Sequence, residues 1–129
     1  MNELVIKDVG DTYSSISMTD AVNKGSLVNA MLGNGTPLRD IVGKVIKIKD
    51  VFIQMLEIAD ENGEYFPAPK IVLIDVDGFC YSCTSGGVLT ALKTIMAIYG
   101  MPTWEEGVSV MVCEKTTTKK RKILTLEVK

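Results

Sequence analysis

Apolar and polar residues alternate most clearly at Ile46-Lys47-Ile48-Lys49, inside a long β-branched stretch that runs from Gly43 to Ile58. A period of two turns one set of side chains inward and leaves the other in solvent, so this stretch predicts the first strand of a half-buried sheet. The alternation loses phase near Asp50, which predicts a bulge or bend at that point. Asp60-Glu-Asn-Gly63 predicts a turn, Pro67 and Pro69 predict an irregular link, and Lys70–Val76 predicts a second strand. Asp77-Gly78 then turns the chain into a third strand, Phe79–Thr84. Beyond it the period changes. Val88, Leu92, Ile95, Met96 and Tyr99 fall at helical spacing, with Ser85 as N-cap and Gly100 and Pro102 ending the helix. Alternation returns at Val108, Val110 and Val112 for a fourth strand, and Ile123–Val128 supplies a fifth.

Three strands, one helix and two strands form the element order of the OB-fold, a five-stranded, partly open barrel. An unrelated β-barrel or a half-open roll fits the same order. The predicted architecture is therefore mainly β, an OB-like barrel over residues 41–129. Residues 1–40 read as an N-terminal arm, polar at first and then a short helix from Thr19 or Asp20 to Gly33, broken by Gly33-Asn-Gly-Thr-Pro37.

Composition narrows the chemistry. The chain of 129 residues holds no histidine, which removes the commonest general base, the commonest zinc ligand and every Ser-His or Cys-His nucleophile. Cys80, Cys83 and Cys113 are an odd number without an export-like leader, so reduced thiols and a cytoplasmic protein without a membrane span are expected. Cys80 and Cys83 have metal-site spacing, yet on a strand they point to opposite faces, and neither a metal nor another cofactor is expected. Asp75 and Asp77 resemble the nucleophile strand of Mg²⁺-dependent phosphatases, but Phe79 stands where a Thr-like residue is needed, and a hairpin turn is the better reading. No catalytic residue is assigned.

Net charge is −2, which argues against a protein that holds duplex DNA by charge alone. The local field is another matter, since Lys115-Thr-Thr-Thr-Lys119-Lys120-Arg121-Lys122 places five cations in eight residues with no acid. Single strands offer base faces as well as phosphates, so their ligands combine cations with exposed rings. Tyr65 and Phe66 lie between strands, where two adjacent rings cannot both be core. Tyr81 shares one strand face with Phe79, and Lys47 and Lys49 share the outward face of the first strand. The candidate nucleic-acid contacts are therefore Lys47, Lys49, Tyr65, Phe66, Tyr81, Lys119, Lys120, Arg121 and Lys122. Tyr99 and Trp104 read as packing residues.

Gly43-Lys44, Val72-Leu-Ile-Asp-Val-Asp-Gly78, Tyr81-Ser82, Ser85-Gly86, Gly100-Met-Pro-Thr-Trp-Glu105 and Lys119-Lys-Arg-Lys-Ile-Leu-Thr-Leu126 together make residues 41–129 resemble the single-stranded DNA-binding proteins of phages that infect Gram-positive bacteria. The resemblance implies an OB fold, sequence-tolerant binding of exposed single strands and a role in viral DNA replication. A protein-interaction module of a replication or virion complex is the alternative. Homo-oligomerisation and contacts with other replication proteins stay open.

Overall fold

The computed structural model describes residues 8–15, 25, 28, 29, 31, 35–116 and 118–129. Within them the chain forms seven strands and a long helix: β1 (Thr12–Ser14), β2 (Thr36–Pro37), β3 (Val45–Ala59), β4 (Tyr65–Asp75), β5 (Cys80–Cys83), α1 (Gly86–Tyr99), β6 (Val108–Thr116) and β7 (Lys122–Val128). The order is β2-β5-β4-β3-β6-β7 in one sheet, with β1 added to β3. The sheet curls into a half-barrel with one long helix.

Mainly β architecture and the position of the long helix agree with expectation; the count of five strands does not. Two short segments of the arm join the sheet, β1 antiparallel to Phe52–Gln54 and β2 parallel to Tyr81–Ser82. Their few residues leave too little pattern to read as strands. The helix expected between Thr19 or Asp20 and Gly33 lies largely outside the described residues.

Asp50 is where the β3 register slips, between the pairs Ile48–Asp75 and Asp50–Ile74. Ile46 and Ile48 face the core before the slip, and Val51, Ile53 and Met55 face it afterwards. The bulge lets one strand of 15 residues keep its apolar side inward while it bends. The Asp50 carboxylate accepts hydrogen bonds from the Ser15 hydroxyl (3.0 Å) and from the Thr103 hydroxyl, tying the arm and the loop after the helix to the bend.

Pro67 and Pro69 are not in an irregular link but inside β4, which starts at Tyr65. The reason lies in the pairing. Met55, opposite Pro69, donates to Asp11 O and accepts from Gly10 N, so its backbone groups point away from β4. The Met55–Pro69 pair exchanges no ladder bond, and the proline forfeits none. On its other side β4 meets β5 only from Ile71 onward, so the prolines lie on an edge.

The core fills the concave side, where Leu38, Ile41, Ile71, Leu73, Val110, Val112 and Leu126 meet Val88, Leu89, Leu92, Ile95 and Met96 of α1. The Ser85 hydroxyl oxygen caps α1 by accepting from Val88 N (3.3 Å), and its proton goes to Leu124 O (3.1 Å), which fastens the helix start to β7. Gly87 is required there, because a Cβ would stand 2.3 Å from the Leu124 carbonyl oxygen. At the other end of the helix Tyr99, expected to pack, is 54% exposed. Phe52 and Val72 form a smaller cluster with Met31, Ile74 and Cys80.

Among the described residues β5 and β7 do not pair, so the half-barrel has an open seam between them.

Candidate nucleic-acid interface

β3 is the longest strand of the sheet. Its 15 residues follow a contour of roughly 46 Å at ~3.3 Å each, bent at the Asp50 bulge. At its far end the β3–β4 hairpin turns at Asp60, whose Oδ1 accepts from Asn62 N (2.8 Å) and Glu64 N (3.0 Å), with Gly63 at φ +79°. Tyr65 and Phe66 emerge there, 69% and 44% exposed. Glu57, Asp60, Glu61 and Glu64 share this tip, and no cation occurs between Lys49 and Lys70. The two rings are open to solvent within a negative field.

The opposite end is basic. β6 pairs with β3 only from Val45 to Ile48 and then continues past it, so the β6–β7 hairpin projects beyond the start of β3. Lys119, Lys120 and Arg121 lie in its exposed turn, with Lys120 left-handed at φ +60°. Lys122 begins β7 and reaches Glu114 at 3.8 Å, with the Lys122 side chain largely in solvent and that of Glu114 about two-fifths exposed. Lys47 is exposed and Lys49 half-buried; their carbonyls accept from Val76 N and Trp104 N.

Tyr81 is half-buried. Its ring packs on the main core and its hydroxyl donates to Asp75 Oδ2 (3.1 Å). Burial, then the hydrogen bond to Asp75, hold the phenol above its usual range. Phe79 does not share this setting: it precedes β5 and is 66% exposed. An Asp-Gly turn is the signal that could have placed it at the surface, since the residue after such a turn stands at the mouth of its strand.

Asp75 Oδ1 accepts from Asp77 N and Phe79 N, both 2.9 Å, so this carboxylate is the staple of the β4–β5 turn. Cys80 packs with Phe52 and Val72 and Cys83 with the main core, on opposite sides of the sheet. No cluster of three or more metal-ligating side chains occurs among the described residues. No helix among them is long and apolar enough to cross a membrane.

A cavity of about 660 Å³ lies at the open seam, and its lining includes Arg39, Lys70 and Lys122 with no acidic side chain. Sequence reasoning missed Arg39 and Lys70. Each is an isolated cation along the chain, and only the fold brings them beside Lys122.

A family model described as Phage Single-stranded DNA-binding protein matches residues 6–129. The chain belongs to this family. Membership makes single-stranded DNA the partner and gives a DNA-binding, non-enzymatic kind of protein. Comparison with curated proteins and with solved structures finds no significant match.

Proposed function

We propose that this phage single-stranded DNA-binding protein coats exposed strands during viral DNA replication, without reading their sequence, in the host cytoplasm. The observation that carries the site assignment is the segregation of cations to one end, from the β6–β7 hairpin to the seam. Lys119, Lys120, Arg121 and Lys122 take phosphates, with Lys47 and Lys49 along β3. Tyr65, Phe66 and the open side of Tyr81 are the stacking platforms. At the β3–β4 tip four carboxylates repel phosphates, so the contribution there comes from stacking on the bases, which itself releases few ions.

The half-barrel reads as an OB barrel left open on one side, consistent with the order β3-β4-β5-α1-β6-β7, to which β1 and β2 are additions. Residues 1–40 act as an arm on the barrel of residues 41–129 and lend β1 and β2 to its sheet.

Titration with oligo(dT) and a duplex of equal length tests the reading. Stacking needs unpaired bases, and net charge is −2, so oligo(dT) binds at least about tenfold more tightly. Equal affinity for the two forms sinks it.

A further inference from the structure

We propose that the cavity between β5 and β7 is a phosphate-binding subsite that carries a single strand across the open side of the half-barrel. The proposal rests on the reading above that the protein binds single strands, and it adds a site that no linear cluster of cations marks.

Three elements remote in sequence converge there. Arg39 comes from the 3-10 turn Leu38–Ile41, Lys70 from the middle of β4, and Lys122 from the first position of β7. The cavity's lining also includes Pro37, Leu38, Ile123 and Leu124, apolar surface against which a sugar or base can rest. Its volume of about 660 Å³ falls inside the usual range for ligand sites, ~300–1,000 Å³. A lining that gathers three cations and no carboxylate attracts an anion, and low-dielectric walls concentrate that attraction. Among the described residues Lys122 pairs with Glu114 at 3.8 Å, and an exposed pair of this kind is readily exchanged for a phosphate. Lys122 also directly follows the hairpin cations in sequence and lines the cavity, which joins the hairpin to the seam.

The seam also gives the site room. A barrel closed by β5–β7 pairing would fill this space with backbone hydrogen bonds. Here the outer edge of β5 is met by β2 only at Tyr81 and Ser82, and β7 is held by β6 and by the start of α1.

The test combines a variant with a footprint on the wild-type protein. Arg39→Ala/Lys70→Ala is expected to weaken oligo(dT) binding about tenfold and to flatten its log–log salt dependence by roughly 1.4, since each lost phosphate contact on a single strand removes ~0.7. Independently, limited acetylation of wild-type protein read by mass spectrometry should find Lys70 shielded by oligo(dT), with Lys93 on α1 unshielded as internal control. Thymidine monophosphate at the same phosphate concentration should leave Lys70 reactive; equal shielding by it assigns the cavity to a free nucleotide and overturns the proposal. Wild-type affinity and slope in a folded variant overturn it, as does a Lys70 that reacts equally with and without oligo(dT). If the variant does not fold, the footprint decides alone. Wild-type protein that binds no oligo(dT) defeats the parent reading; intact wild-type binding with a silent cavity defeats only this one.

Discussion

The Asp75 carboxylate accepts three hydrogen bonds, from two backbone amides of the turn it precedes and from the Tyr81 hydroxyl. Removing a buried acceptor leaves its donors to find water or go unpaired, at ~1–3 kcal/mol per group. Asp75→Ala is therefore expected to lower unfolding free energy by about 3 kcal/mol in urea titration, and Asp75→Asn by less. A loss below about 0.5 kcal/mol for the alanine variant would show that the carboxylate does not hold the turn. Cys83 gives a pH dependence. Burial pushes its thiol up to about 11 from an ordinary value of 9.0. A group raised in the folded state contributes fully below its unfolded value and loses that contribution as pH climbs toward the folded one. Stability should fall between pH 9 and 11, and less steeply in Cys83→Ala, as followed by urea midpoints across that range.

At the scale of elements, the join between α1 and β7 depends on a glycine. A Cβ at Gly87 would meet the Leu124 carbonyl at 2.3 Å, backbone that cannot rotate aside. Gly87→Ala should cost about 1–3 kcal/mol, the usual range for overpacking, read from the shift in denaturant midpoint. An unchanged midpoint would mean that the helix start can lift from β7 freely. The β6–β7 hairpin gives the opposite contrast. Lys119→Ala/Lys120→Ala/Arg121→Ala should change stability by less than about 0.5 kcal/mol, yet flatten the salt slope of oligo(dT) binding by up to about 2 at ~0.7 per contact. Tyr65→Ala/Phe66→Ala should weaken binding and leave the slope alone, because stacking releases few ions. If the hairpin variant binds as wild type does, its cations only keep the tip soluble.

These elements also show what could be read from the residues. The bulge at Asp50, the Ser85 cap and the order of the main strands were legible because each has a local cause: a phase slip, a side-chain acceptor, a change of period. The membership of Pro67 and Pro69 in β4 was not, because it depends on which way Met55 turns its backbone groups, and that is set by Gly10 and Asp11. Arg39 and Lys70 were invisible as a pair for the same reason. Their nearness to Lys122 is a product of sheet order, which lone cations separated by dozens of residues do not announce.

For the whole molecule, the acidic β3–β4 tip and the basic β6–β7 hairpin lie beyond opposite ends of β3, so a net charge of −2 conceals two loops of opposite sign held apart. Such a body is a permanent electric dipole. Near a polyanion it feels a torque before any side chain touches, and that torque swings the hairpin forward, so that phosphate contact there precedes stacking at the aromatic tip. Encounters are therefore sorted by orientation while the partners are still apart. Added salt, by shortening the reach of that field, should slow association as well as hasten release.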